Sequence, residues 1–85
     1  MKHRATASFW TKYEALDKKT RKLADKNFAL LKTDPRHPSL QLKKLRSDLW
    51  SARVGLGHRA LALPSDDGFD WFWIGDHAEY DRTIE

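Results

Sequence analysis

Apolar residues recur at helical spacing in the first part of the chain. With Ser8 as an N-cap, the spacing of Phe9, Trp10, Tyr13 and Leu16 predicts an amphipathic helix over residues 9 to about 18. A polar break at Asp17 to Thr20 precedes a second helix, which we expect to end near Thr33 because Asp34-Pro35 cannot continue it. Two short helices in succession indicate an antiparallel helical hairpin.

The second half of the chain alternates apolar and polar positions, as strands do. Leu49 to Val54 and Arg59 to Leu63 flank a Gly55-Leu56-Gly57 turn, which predicts a hairpin with one polar face. After a turn at Pro64 to Gly68, the nearly continuous apolar run from Phe69 to Ile74 is typical of a strand covered on both faces. The pattern predicts an α+β fold, in which a two-helix hairpin packs on a small twisted antiparallel sheet.

The two ends of the chain carry weaker patterns. Arg4-Ala5-Thr6 predicts at most a weak edge strand, and Asp76 to Glu85 indicates a short polar tail with one helical turn at most. No repeat or linker divides the 85 residues. We therefore expect a single domain over residues 1–85, since a second core would be too small to offset the entropy of ordering its own backbone.

The charge balance favours a polyanionic partner. Sixteen Lys and Arg against twelve Asp and Glu give a net charge of +4 and a pI near 9.6. The alternative is that the lysines between Lys18 and Lys26 form a solvated helix face. No stretch is long and apolar enough to span a bilayer, and there is no cysteine, so we expect no membrane partner and a cytoplasmic location.

The sequence contains no pattern for a metal or a cofactor. His3, His37 and His58 have no partner at ligand spacing, and there is no cysteine to complete a site. A glycine-rich phosphate loop, a nucleophile elbow and paired carboxylates are also missing from the sequence. We therefore expect no metal and no cofactor, and any phosphodiester chemistry would depend on the protein's own side chains.

The predicted hairpin brings two arginines together. If Val54 pairs with His58, then Arg53 lies opposite Arg59. Like charges in that position destabilise a sheet unless an anion bridges them, and the planar guanidinium suits phosphate. A phosphate clamp is one interpretation, and the other is that each arginine pairs with a nearby Asp or extends into water.

Two further candidates follow the buried strand. His77 can transfer a proton near neutral pH, and Tyr80 could stack on a base or donate a proton, although each could also be structural. In RNA the 2′-hydroxyl attacks its own phosphate when a base takes its proton, cations stabilise the crowded phosphate and an acid protonates the leaving oxygen. Arg53, Arg59, Lys44, His77 and Tyr80 could fill these roles.

Several motifs together resemble a known family. They are His37-Pro38-Ser39-Leu40, Lys43-Lys44-Leu45, Trp50-Ser51-Ala52-Arg53-Val54, Arg59-Ala60-Leu61 and Trp73-Ile74-Gly75-Asp76-His77-Ala78-Glu79-Tyr80-Asp81. In combination they resemble bacterial RelE/ParE-type toxins over nearly the whole chain from Phe9. The resemblance implies neutralisation by a cognate antitoxin protein that wraps the basic cleft. For RelE and YoeB-like relatives it also implies metal-independent cleavage of mRNA in the ribosomal decoding site.

The resemblance also implies roles for individual residues. Arg53, Arg59, His77 and Tyr80 match active-site positions of RelE-like toxins, and Arg59 matches the arginine that contacts the scissile phosphate. The basic segment before the first hairpin strand gives the expected RNA-binding residues, which are Lys43, Lys44 and Arg46. The general base is open, because Lys43-Lys44 stand where YoeB-like toxins have a glutamate and Ser51 stands where RelE has a lysine. His77 could act as base or acid, and Glu79 is a second candidate base.

Three functions compete at this point. The first is a ribosome-associated mRNA endonuclease toxin. The second is a ParE-like inhibitor that acts on DNA gyrase by binding alone, and the third is a catalytically silent relative that only binds RNA or regulates its operon.

Overall fold

The computed structural model describes residues 2–46 and 48–85. The strands of these ranges are β1 (Lys2–Ala5), β2 (Lys43–Arg46), β3 (Leu49–Val54), β4 (His58–Ser65) and β5 (Gly68–Asp76). The helices are α1 (Ala7–Glu14), α2 (Lys18–Thr33) and α3 (His77–Ile84), with a 3-10 helix at Pro38–Leu40. None of the helices in these ranges is long and apolar enough to cross a membrane.

The first helix begins before the predicted position. Thr6, and not Ser8, is its N-cap, because Thr6 Oγ1 accepts a hydrogen bond from the N–H of Phe9 at 3.3 Å. The hydroxyl of Ser8 instead donates to Phe72 O on β5 at 2.9 Å. This bond fixes the start of α1 to the sheet, and the helix ends at Glu14 rather than near residue 18.

The second helix confirms the predicted end and corrects the predicted start. It ends at Thr33, but it already includes Lys18 to Thr20, which the sequence suggested as a break. Asp17 is the reason, since its carboxylate accepts the N–H of Thr20 at 3.3 Å and caps the helix. The side-chain hydrogen bond between Tyr13 Oη and Asp25 Oδ1, at 2.7 Å, joins the two helices of the hairpin.

The sheet confirms the three predicted strands and adds one on each edge. Its order is β1-β5-β4-β3-β2, and neighbouring strands are antiparallel except for β1, which runs parallel to β5. The weak N-terminal strand is therefore present, and the sheet is mixed rather than wholly antiparallel. The predicted turn between β3 and β4 is confirmed, and Gly55 adopts a positive φ of 65° there.

The sheet has a core on each face. The major core lies between the sheet and the α1/α2 hairpin, and its buried residues are Ala24, Leu31, Leu40, Ala52, Val54, Ala60, Ala62, Phe69, Trp71 and Ile74. The minor core lies on the opposite face under α3, and its buried residues are Leu61, Trp73 and Tyr80. Strand β5 contributes to both, which confirms that it is covered on both faces.

The polar tail expected at the C-terminus is a helix of eight residues. Asp76 Oδ1 accepts the N–H of Glu79 at 2.8 Å, and Glu79 Oε1 accepts the N–H of Asp76 at 3.4 Å, which forms a capping box. The buried ring of Tyr80 and the partly buried Ile84 attach the helix to the minor core. The helix starts at the end of β5 and so presents its first turn to the sheet surface.

His3 attaches β1 to the aromatic residues of β5. Its Nδ1 accepts a hydrogen bond from Trp71 Nε1 at 3.1 Å, and its ring stacks on Phe69 at a centroid distance of 5.9 Å. Its Nε2 is buried and has no partner among the described residues. Burial, and to a smaller extent the positive charge of Lys32, lowers the pKa of His3 below its usual 6.5.

We expect acid to destabilise the protein through His3. Because the folded pKa is lowered, the unfolded chain binds a proton more readily, so this contribution is complete above about pH 6.5 and is lost as the pH falls below it. The urea midpoint of unfolding should therefore be lower at pH 5.5 than at pH 7.5. The variant His3→Phe should show a smaller difference between the two pH values, and an unchanged difference would contradict the prediction.

Candidate functional site

The strand register confirms that Arg53 lies directly opposite Arg59. The two residues are Cα partners in the antiparallel pair of β3 and β4, next to the pair Val54 and His58. Residues on alternate positions of these strands, Ala52 and Ala60, are in the major core. The side chains of Arg53 and Arg59 therefore start on the opposite face, which is the face that carries α3.

Arg59 is a buried cation without a described acidic partner. The residue is 4% exposed and forms no ion pair with any residue in the described ranges. Its guanidinium donates from Nε to Ser51 Oγ at 2.7 Å, from Nη1 to Gln41 Oε1 at 3.2 Å and from Nη2 to Gln41 O at 3.1 Å. Neutral acceptors orient the group but leave its positive charge uncompensated, which is costly in a buried position.

Gln41 occupies an unusual backbone conformation beside this guanidinium. Its φ of 43° and ψ of 46° lie in the left-handed region, and it is the only non-glycine residue with positive φ in the described chain. This conformation directs its carbonyl oxygen toward Arg59 Nη2. Strained residues of this kind often mark functional sites, because the surrounding structure must hold them in place.

Tyr80 connects Arg59 to His77. The Arg59 Cζ lies 5.4 Å from the centroid of the Tyr80 ring, and the His77 ring meets the same ring edge-on at 6.2 Å. The cation and the aromatic face attract each other in this geometry. Arg59, Tyr80 and His77 therefore form one contiguous group, here called the Arg59 site.

The backbone at Gly75 makes room for this group. Gly75 pairs with Arg59 across β4 and β5, and a Cβ atom at Gly75 would lie 2.7 Å from the Trp73 ring. The absence of a side chain lets the indole lie along the strand, where it packs against Tyr80 at a centroid distance of 6.4 Å. The glycine before Asp76-His77 thus has a packing role.

The two rings of the site are not equally accessible. Tyr80 is 5% exposed and its ring contacts are with Arg59, Trp73 and His77, so it does not offer a free face on which a base could stack. Its hydroxyl makes no hydrogen bond with a described residue. His77 is exposed, and its backbone N–H donates to Gly57 O at 3.1 Å, which fixes it beside the β3–β4 turn.

The guanidinium groups of Arg53 and Arg59 diverge. Arg53 Nε donates to Gly55 O at 3.0 Å, whereas Arg59 Nε donates to Ser51 Oγ. Ser51 lies within β3, whereas Gly55 lies in the turn that follows the strand. The two Nε atoms therefore donate in different directions, as expected for like charges on adjacent strands. The clamp of one phosphate by both arginines stays a prediction.

The three basic residues of β2 have different surroundings. Lys43 pairs with Ser51 and so lies on the face of the Arg59 site, whereas Lys44 pairs with Trp50, which packs against the major core. The structure therefore brings Lys43, and not Lys44, to the site face. Arg46 follows a bulge and donates from Nη2 to Ile84 O at 2.9 Å, so it fastens the end of α3 to the edge of the sheet.

Glu79 is engaged in the helix cap. One of its carboxylate oxygens accepts the N–H of Asp76, and the Asp-x-x-Glu spacing that encodes this capping box is visible in the sequence. Its availability as a general base is reduced accordingly. Across the described residues no group of three or more His, Asp or Glu side chains could hold a metal ion.

Sequence reasoning missed two residues of the site. The sequence indicates only that Ser51 replaces a lysine, but Ser51 is fully buried and its hydroxyl accepts a hydrogen bond from Arg59 Nε. Strand alternation could have placed it on the face of Arg53 and Arg59. Nothing in the sequence indicates a role for Gln41, because glutamine is not a residue type that favours the left-handed backbone conformation found here.

Comparisons with known proteins support the fold. The chain matches no protein-family model and no curated protein. A YoeB/ParE toxin from Agrobacterium tumefaciens is 22% identical with a TM-score of 0.69, over 91% of this chain and 99% of its own. The isolated E. coli RelE toxin is 14% identical with a TM-score of 0.64, over 98% of this chain and 97% of its own.

A complex also contains this fold. The YoeB-YefM complex from Staphylococcus aureus includes a chain that is 15% identical with a TM-score of 0.67, over 91% of this chain and 97% of its own. Each of these matches covers nearly the whole length of both proteins. The chain therefore has the fold of the RelE/YoeB toxins.

Proposed function

We propose that the protein is the toxin of a toxin-antitoxin pair and that it cleaves mRNA at the ribosome without a metal or cofactor. The observation that carries the proposal is the Arg59 guanidinium, which is buried, held by neutral acceptors and without a described acidic partner. A positive charge in such a place is stabilised when an anion approaches. The anion proposed here is the scissile phosphate of an RNA strand.

The groups around Arg59 can supply the proton transfers. Arg59 would stabilise the crowded phosphate, and its remaining N–H groups can donate to the phosphate oxygens. His77 is exposed beside the Tyr80 ring and would take the proton from the 2′-hydroxyl. Tyr80 has a hydroxyl without a described partner, and a phenol is a proton donor at neutral pH, so it would protonate the leaving 5′-oxygen.

The alternatives for the general base are weaker. Glu79 already accepts a hydrogen bond in the capping box. Lys44 starts on the opposite face of the sheet. Arg53 directs its Nε to the β3–β4 turn, so it would bind the RNA beside the reacting phosphate rather than at it. Lys43 would contribute a further positive charge on the site face.

The proposed partners follow from the same site. A chain with this fold occurs in the YoeB-YefM complex, which supports a protein partner for this chain too, and we propose a cognate antitoxin. The net charge of +4 favours acidic segments of such a partner as well as RNA. Action on mRNA at the ribosome would place the protein in the cytoplasm.

The proposal predicts growth arrest and messenger cleavage that depend on the Arg59 site. Induced expression of the wild type should arrest growth, and coexpression of the small neighbouring reading frame should relieve the arrest. Primer extension on messenger from a translation extract should show cuts with the wild type and none with Arg59→Ala/His77→Ala. The variant Arg36→Ala, at an exposed loop arginine, should cut like the wild type.

Two results would contradict the nuclease proposal. One is full cleavage by the double variant while its fold is intact by circular dichroism. The other is growth arrest without cleavage but with loss of gyrase supercoiling activity, which would assign the ParE-like function.

A further inference from the structure

The side-chain amide of Gln41 is held against the Arg59 guanidinium in one orientation. Arg59 Nη1 donates to Gln41 Oε1 at 3.2 Å. A guanidinium carries donors only, so the amide must present its oxygen to Arg59 and direct its Nε2 group elsewhere. The chemistry of the partner thus fixes which end of the amide faces the guanidinium.

The Nε2 group of Gln41 is the one polar group of this residue that has no described partner. The backbone N–H donates to Pro38 O at 3.2 Å, and the backbone carbonyl accepts a hydrogen bond from Arg59 Nη2 at 3.1 Å. Oε1 accepts from Nη1, whereas Nε2 makes no hydrogen bond with any residue in the ranges that the structure describes. Gln41 is exposed, so the two N–H donors of Nε2 are open to a ligand.

The free donors of Gln41 and Arg59 lie close enough for one phosphate. The oxygen and nitrogen of a side-chain amide are about 2.3 Å apart, which places Nε2 within about 5.5 Å of Arg59 Nη1. Hydrogen bonds of about 2.9 Å to two oxygens of one phosphate span such a separation. Arg59 keeps one free N–H on each of Nη1 and Nη2, so both residues can donate to the same anion.

The left-handed backbone of Gln41 indicates a use for its side chain. Its φ of 43° is unfavourable for a residue with a side chain, whereas a glycine would adopt it without strain. A glycine would still offer its carbonyl to Arg59 Nη2, but it would lack the amide. The side chain is therefore the part of this residue that a strained glutamine supplies and a relaxed glycine would not.

We propose that Gln41 Nε2 donates to one non-bridging oxygen of the RNA phosphate while Arg59 donates to the other. The neutral amide keeps the positive charge of Arg59 available, whereas an acidic residue in its place would neutralise that charge. A second donor on the phosphate stabilises the charge that develops on its oxygens during cleavage. The inference rests on the proposed function, because it assumes that Arg59 binds the scissile phosphate.

The test uses a 2′-O-methyl dinucleotide, which cannot be cleaved and has a single phosphodiester. Gln41→Met removes the amide but keeps a side chain of similar length, so it should weaken binding by about tenfold in an NMR titration. Gln41→Glu keeps an acceptor for Arg59 but has no N–H and adds a negative charge, so it should weaken binding further. Lys2→Gln, which lowers the net charge by the same unit on the edge strand β1, should bind nearly as tightly as the wild type.

Sulfur substitution distinguishes a direct contact of Gln41 from an effect through Arg59. Replacing one non-bridging oxygen with sulfur gives two phosphorothioate stereoisomers that keep the charge, and sulfur accepts hydrogen bonds weakly. Gln41→Met should lose its effect on one stereoisomer, and Arg59→Ala should lose the larger part of its effect on the other. If Gln41 only positioned Arg59, both variants would lose their effect on the same stereoisomer, and that result would overturn the inference.

Two further outcomes separate the inference from the proposed function. Unchanged affinity of Gln41→Met beside a weakened Arg59→Ala would overturn the inference alone, whereas unchanged affinity of Arg59→Ala would overturn both. Gln41→Gly removes the amide and relieves the backbone strain, so it provides the same comparison should Gln41→Met fail to fold.

Discussion

Replacing Arg59 with alanine is expected to lower the rate of RNA cleavage by about 10²- to 10³-fold, the usual effect of removing one group that stabilises developing charge. The physical reason is the position of the guanidinium, which Ser51 and Gln41 orient and which Tyr80 covers on one face. Such a preoriented cation needs little reorganisation during the reaction. The measurement is the single-turnover rate at which a defined mRNA is cleaved in a translation extract.

Arg59→Lys should restore little of this activity. A lysine has one ammonium group, whereas the guanidinium here uses Nε, Nη1 and Nη2 for three separate acceptors and still has N–H groups for a phosphate. The ammonium group is also not planar, so it cannot stack on the Tyr80 ring as the guanidinium does. Cleavage by Arg59→Lys within a few-fold of the wild type would contradict the proposed geometry.

A variant that does not fold would also lose activity, so a folded but inactive variant is needed as a control. A buried cation without an acidic partner contributes little net stability, and apolar residues of similar volume often replace such groups without loss. The double variant Arg59→Met/Ser51→Ala removes the cation together with the buried hydroxyl that would lose its partner. It should unfold at a temperature at least equal to that of the wild type and should not cleave RNA.

The central hairpin and the buried strand could be predicted because their side chains face different environments. In β3 the residues alternate between the major core and the polar face, which fixes the register that pairs Arg53 with Arg59. In β5 both faces are covered, so the strand is uninterruptedly apolar from Trp71 to Ile74. The positions of the turn glycines favoured the same interpretation.

The edges of the sheet and the last helix were harder to predict because little of their surface is buried. Strands β1 and β2 have no fully buried residue in the described chain, so their sequences are mostly polar. Helix α3 has a single buried residue, Tyr80, and its stability depends on a capping box and on the minor core. Local patterns of hydrophobicity cannot reveal an element whose partner is distant in sequence.

The direction in which the charged side chains extend could not be predicted from the sequence. The strand register predicts that Arg53 and Arg59 are cross-strand partners. It does not predict that Arg53 Nε donates to Gly55 O and Arg59 Nε to Ser51 Oγ. That outcome depends on a left-handed residue at Gln41 and on a turn carbonyl, neither of which is a property of the arginines themselves.

The roles of Tyr80 and His77 can be separated with a modified substrate. Tyr80→Phe keeps the ring against Arg59 and removes only the hydroxyl, and His77→Ala removes the exposed imidazole. Each should slow cleavage of normal RNA by about 10²- to 10⁴-fold, as expected for loss of a general acid or base.

A messenger with sulfur in place of the leaving 5′-oxygen needs no acid, because a thiolate leaves without protonation. On this substrate Tyr80→Phe should cleave at nearly the wild-type rate, whereas His77→Ala should remain slow, since the 2′-hydroxyl still has to lose its proton. The opposite pattern would make the imidazole the acid and require another base. Equal defects of both variants on both substrates would mean that neither group donates to the leaving oxygen, and that Tyr80 acts only by holding Arg59 in place.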